Sequence, residues 1–223
     1  MDTPIIFRDR VEAGRELAKR LEAYADQPKV LVLGIPRGGV PVAFQVAVKL
    51  HAPLDVFIVR KLGTPGQEEL AFGAIASGGI RFLDREIIDA TGISESEMER
   101  ITAKEEEELA RREQAYRGKR KPLSIEGQVI ILVDDGIATG SSMYAAIRAI
   151  RRMKPARIVV AVPVAPISTC RCLKSDADEI VCVQMPESFH AIGQFYEDFS
   201  QVTDGEVVAL LQDGTSKSMH IAS

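Results

Sequence analysis

The sequence predicts an α/β fold, a mainly parallel sheet flanked by helices. Three observations predict it. Val129-Ile130-Ile131-Leu132-Val133 is an unbroken apolar run, nearly all β-branched, as expected of a strand covered on both faces. Lys29-Val30-Leu31-Val32-Leu33-Gly34 repeats the pattern. Each run passes through a glycine-bearing turn into an apolar helix, the alternation that builds parallel sheets.

The elements follow in order. The 223 residues suit one domain, read as 1–211 with a polar tail at 212–223. Residues 8–25 carry Val11, Leu17, Leu21 and Tyr24 at helical spacing, a packing helix over one sheet face. The first strand runs through Ile35-Pro36-Arg37-Gly38-Gly39-Val40-Pro41 into a helix ending near Leu50. A strand at 54–59 ends in Arg60-Lys61, and a polar, glycine-rich loop at 62–70 follows. Strands at 72–76 and 80–83, parted by Ser77-Gly78-Gly79, form a hairpin. Residues 94–117 form a charged helix opened by a capping box, Ser94-Glu95-Ser96-Glu97. Glu107–Arg111 and Glu108–Arg112 are i,i+4 pairs along it. Its apolar stripe (Met98, Ile101, Leu109, Tyr116) is thin, as in a solvated edge helix or one arm of a dimer contact. Arg117-Gly118-Lys119-Arg120-Lys121 reads as a solvated basic linker. Residues 94–121 are thus a charged helical insertion. After the helix that follows Val133 come a strand at 157–162, a connector with a short helix at 163–172, and a last core strand at 180–183. The segment 185–199 concentrates Phe189, Phe195, Tyr196 and Phe199.

Composition removes some functions. An apolar fraction of 46% can fill a core, and a net charge of −4 gives no sign of non-specific nucleic-acid binding. Met1-Asp2-Thr3-Pro4 lacks the basic and apolar regions of a signal peptide. No apolar run approaches the roughly 18 residues of a membrane span. Cys170, Cys172 and Cys182 are odd in number and clustered, which suits reduced thiols and a cytoplasmic location. Cys170-Arg171-Cys172 has no second ligand pair to complete a metal site. No Ser-His-Asp set is apparent.

The chemistry concentrates after Val133. Thr139, Gly140, Ser141 and Ser142 bring hydroxyls and backbone N–H groups to a helix N-terminus, an anion site suited to a phosphate monoester. Asp134 and Asp135 would repel phosphate and are placed to accept hydrogen bonds from hydroxyls or to approach a metal-bound ligand. A ribose 5-phosphate satisfies both zones. A solvated Asp-Asp turn before an N-cap is the plain alternative.

Asp134-Asp135-Gly136-Ile137-Ala138-Thr139-Gly140-Ser141-Ser142 after an apolar strand resembles the phosphoribosyl pyrophosphate (PRPP) motif of type I phosphoribosyltransferases. The resemblance implies that family's fold, with a small hood at 184–200 and a single catalytic domain. It implies that Asp134 and Asp135 hold the ribose hydroxyls while residues 136–142 hold the 5-phosphate. Arg37-Gly38-Gly39 is similar to the family's pyrophosphate loop, which implies pyrophosphate on Arg37 and on the Gly38 and Gly39 amides, with a cis peptide between Pro36 and Arg37. Arg60-Lys61 is similar to the basic pair of the orotate and adenine enzymes before a closing lid, so Arg60 would bind substrate and Lys61 would touch pyrophosphate. Residues 185–199 resemble the end of the hypoxanthine-guanine enzymes: Phe189 would stack on a base beside His190, and Glu197 or Asp198 would approach the metal. The 6-oxopurine enzymes carry a Lys where this chain has Pro163-Val164, so the acceptor stays open.

The function so implied is transfer of ribose 5-phosphate from PRPP, with Mg2+, to a nitrogen nucleophile such as a nucleobase, releasing pyrophosphate. A homodimer is expected, with no membrane and no nucleic-acid partner. The alternatives are a PRPP-sensing regulator of the same fold that binds nucleic acid or protein, and a phosphate-ester hydrolase.

Overall fold

A computed structural model describes residues 4–219. Five strands form a wholly parallel sheet in the order β2-β1-β6-β7-β8: β1 is Val30–Gly34, β2 Leu54–Val56, β6 Val129–Val133, β7 Arg157–Val164 and β8 Glu179–Gln184. Strand side chains alternate between faces. Val30, Val32, Ile131 and Val133 enter one core, under α1 (Arg10–Arg20), α2 (Gly39–Leu50) and α7 (Asp204–Met219). Leu31, Leu33, Ile130 and Leu132 enter the other, under α5 (Ser141–Arg152) and α6 (Ile167–Leu173). With helices on both faces β1 and β6 carry no polar side chain, which is why these runs do not alternate with polar residues.

A smaller antiparallel sheet, β3 (Val59–Thr64), β4 (Gln67–Ala76) and β5 (Ile80–Leu83), leaves the edge of the main one. This corrects the strand expected at 54–59. β2 ends at Val56, the Phe57 N–H donates to Gly34 O at 3.0 Å, and Ser77 Oγ accepts the Ile58 N–H at 3.2 Å. Arg60 and Lys61 therefore lie inside a hairpin strand. The loop expected at 62–70 is largely that hairpin, turning at Pro65-Gly66. An antiparallel sheet tolerates polar residues because one face can meet water.

α3 (Arg85–Thr91), capped by Asp84, was not foreseen. α4 (Glu95–Arg117) carries the expected capping box. Arg111 pairs with Glu108 rather than Glu107, and Arg112 joins it, both at 2.7 Å; the two guanidinium groups hold the Glu108 carboxyl at about 2. Arg117 is not in a solvated linker. It is buried, with Nε 3.1 Å from Asp55 Oδ1, because a buried Asp55 needs a cationic partner. The tail also differs: α7 runs to Met219, since Val207 and Leu211 continue a buried stripe and Gly214 lies against Leu54. Positions 220–223 lie outside the described residues. No helix among the described residues is long and apolar enough to cross a membrane.

Candidate active site

β1 and β6 are neighbours in register, Gly34 opposite Val133, so the loops after them emerge together at the carboxyl end of the sheet, where ligands of such sheets bind. The peptide between Pro36 and Arg37 is cis. Gly38 and Gly39 let the two loops touch. A Cβ on Gly38 would lie 2.0 Å from Asp135 Oδ2, and one on Gly39 would lie 2.7 Å from Val133 O and 2.8 Å from Asp134 Cα. Glycine is thus needed at both for packing against the acid pair. Arg37 is half-buried, its Nη1 3.8 Å from Asp204 Oδ1 on α7.

The acid pair is not two equivalent open carboxylates. Asp135 is buried and its Oδ2 accepts from Arg10 Nε at 2.8 Å. Tyr196 donates its hydroxyl to Asp135 O at 2.6 Å. Asp134 is half-buried, its Oδ1 accepts the Asp135 N–H at 2.9 Å, and it has no ion pair among the described residues. Burial, then the charge of Asp135, raises the Asp134 carboxyl well above its ordinary value. Burial also raises Asp135, with Arg10 pulling it back down.

The following loop divides between core and surface. Gly136 is buried against Ile192. Ile137 is buried and its N–H goes to Val164 O at 3.0 Å, so its expected place on a ligand is taken by the core. Ala138 is exposed and its carbonyl accepts from Thr169 Oγ1 at 2.8 Å. Thr139 and Ser142 are exposed and Ser141 half-buried, with Thr139 Oγ1 and Ser141 Oγ 3.2 Å apart. Gly140 is the N-cap of α5, and no side chain caps that end. Its first amides are therefore left to other partners.

The basic pair splits, as neighbours on a strand must. Arg60 turns to Glu105 on α4, at 2.7 Å from Nε, and not to the acid pair. Lys61 lines a cavity of about 440 Å³ with Thr139, Gly140, Ser141, Tyr144 and Arg148. The structure places it on the same cavity as the hydroxyl loop.

The aromatic segment packs at the same end of the sheet. Phe189 is half-buried, its ring centroid 5.4 Å from that of Phe195. His190 is exposed, with Nε2 3.4 Å from Ser188 Oγ. Asp198 is exposed, and its Oδ1 accepts the Ser200 N–H at 2.9 Å. Among the described residues no group of three or more His, Cys, Asp or Glu could hold a metal by itself. The three cysteines are free thiols.

Sequence reasoning missed Arg10 and Tyr196 at this site. Arg10 lies 125 positions from Asp135, in a helix whose periodicity signals only packing, so no local motif marks it.

Comparison with known proteins bears on the fold and the family. Residues 7–200 match the family described as the phosphoribosyl transferase domain. Two Mycobacterium tuberculosis proteins, from strains H37Rv and CDC 1551 and provisionally named phosphoribosyl transferases, are each 46% identical over 206 residues, covering 92% of this chain and 46% of their own. The chain thus spans about half the length of these curated relatives. The crystal structure of TT1426 from Thermus thermophilus superposes with a TM-score of 0.85 at 42% identity, covering 94% of this chain and 99% of that one.

Proposed function

The chain belongs to the phosphoribosyl transferase domain family, and from that membership we propose that it transfers ribose 5-phosphate from PRPP to a nitrogen nucleophile, releasing pyrophosphate. The observation that carries this reading is the pairing of a half-buried carboxylate without an ion pair among the described residues, Asp134, with the uncapped α5 N-terminus one loop away. The sugar hydroxyls donate to Asp134, and the 5-phosphate takes the amides and hydroxyls of Thr139, Gly140, Ser141 and Ser142. Pyrophosphate sits on Arg37 and the Gly38 and Gly39 loop. As the C1 bond to pyrophosphate stretches, cationic sugar develops beside Asp134, whose charge stabilises it. No covalent nucleophile is required; positioning and electrostatics supply the rate.

Mg2+ takes one or two protein carboxylates and fills its shell with substrate oxygens and water. Asp134, a half-buried acid without an ion pair among the described residues, fits such a cation; Asp198, already bonded to Ser200, is the weaker candidate. When bound, the ion neutralises the leaving pyrophosphate. Asp134 would hold it together with oxygens of the substrate.

The acceptor is a nucleobase or similar ring that lies near Phe189 and His190. The competing reading, a PRPP-sensing regulator, rests on the basic patch, which loses the buried Arg117. The test is a screen of nucleobases and amines with PRPP and Mg2+ for pyrophosphate release. The reading expects release that depends on one acceptor class. Release without any acceptor would favour a hydrolase, and PRPP binding without release under any acceptor would favour the regulator.

A further inference from the structure

We propose that the groove along the exposed face of α5 is a second anion site, one that takes a chain of linked phosphates, either inorganic or the tail of a nucleoside triphosphate. It does not depend on the reaction proposed above. Two cavities of about 660 and 510 Å³ open on this face and meet at Arg152. Arg81 on β5 and Arg85 at the start of α3 line the first; Ser175 and Asp176, in the connection from α6 to β8, line the second. Arg148 lines the second cavity and also the cavity that reaches the hydroxyl loop.

Charge singles this groove out. The two cavities are lined by Arg81, Arg85, Arg148, Arg151 and Arg152 against two carboxylates, Asp89 and Asp176, in a chain whose net charge is −4. Arg10, Arg60, Arg112 and Arg117 each find a carboxylate within 3.1 Å, and Arg151 lies 2.9 Å from Asp178. Arg81, Arg85, Arg148 and Arg152 have no ion pair among the described residues. Arg148 Nη1 donates to the Tyr144 hydroxyl at 3.3 Å and Arg152 Nη1 to Arg81 O at 2.8 Å, both uncharged acceptors.

The arrangement is also held in place. Positions 148, 151 and 152 share one helix face. The guanidinium carbons of Arg148 and Arg152 stand 5.4 and 5.7 Å from the centre of the same buried Phe82 ring, which attracts both cations. Two like charges over one ring repel within a Debye length, and an anion between them removes that repulsion. Because the ring orders them beforehand, binding costs less side-chain entropy. Each guanidinium offers phosphate a planar fork of donors. A single phosphate cannot face all four unpaired forks; a chain of phosphates can.

Calorimetric titration of inorganic tripolyphosphate and of ATP tests the site, with wild type, Arg148→Gln/Arg152→Gln, Arg111→Gln/Arg112→Gln and Arg37→Gln. The second double variant removes the same charge from α4, and Arg37→Gln alters the proposed pyrophosphate loop. The wild type should bind at least one of the two compounds saturably. Arg148→Gln/Arg152→Gln should bind it at least fivefold more weakly, and both controls should lose less than fivefold. Should that variant not fold, Arg81→Gln/Arg85→Gln repeats the test under the same criterion. Tighter binding of ATP than of tripolyphosphate would assign the nucleotide tail, and any other order the bare chain. No saturable binding, a smaller loss in the groove variant, or a loss of fivefold or more in either control would overturn the proposal.

Discussion

The charge on Asp134 is held at the expense of the fold. Its carboxyl and that of Asp135 are raised above the ordinary 3.8 by burial, so both hold protons more tightly folded than unfolded. Their contribution to stability is fully present below about pH 4 and is lost as pH rises through the raised values. Asp134→Asn should therefore melt higher than wild type at pH 7, with the gap closing toward pH 4, while PRPP turnover falls at least tenfold. Thermal melts across that range and steady-state kinetics check both halves. Gly39 sets a second limit at this scale. A methyl group there would meet backbone atoms, Val133 O and Asp134 Cα, which cannot swing aside. Gly39→Ala should cost roughly 1–3 kcal/mol of stability and weaken pyrophosphate-bearing ligands more than ribose 5-phosphate, as read by denaturation and calorimetry.

At the scale of elements, the α5 N-terminus carries the phosphate argument. Ser141→Asp adds a negative charge at an end that favours one, worth about 0.3–1 kcal/mol to the helix, yet repels a bound phosphate. Raised stability with PRPP affinity reduced tenfold or more is the expected pair of results; the reverse would place the phosphate elsewhere. The junction of α4 with β2 depends on the Arg117–Asp55 pair, whose side chains are 6% and 7% exposed. Arg117→Met leaves Asp55 buried without its partner and should cost about 3–5 kcal/mol, whereas Arg117→Met with Asp55→Leu should recover most of that. Urea denaturation of the three proteins decides it.

For the whole molecule, the parts legible in the sequence were those set by local pattern. β1, β6 and β7 showed themselves because strands covered on both faces must be apolar throughout, and the Asp-Asp to Ser-Ser loop showed itself because its donors and acceptors lie within nine consecutive positions. What lay hidden was set by distant partners. The strand from Leu54 divides because the Phe57 N–H still pairs with Gly34 of the main sheet while the Ile58 N–H pairs with Ser77, which no run of β-branched residues announces. Arg117 looked like a linker charge until Asp55 met it, and Arg10 looked like the polar side of a packing helix until Asp135 met it. In that same loop the pairing of the two carboxylates was not readable: Asp135 is bonded to Arg10, and Asp134 has no ion pair among the described residues.

The central claim is that one sugar phosphate spans Asp134 and the α5 N-terminus. Calorimetric titration of PRPP with Mg2+ into wild type, Asp134→Asn and Ser141→Asp tests it most directly. The account predicts saturable one-to-one binding by the wild-type protein and at least tenfold weaker binding by each variant. Equal affinity for PRPP in all three proteins would contradict it.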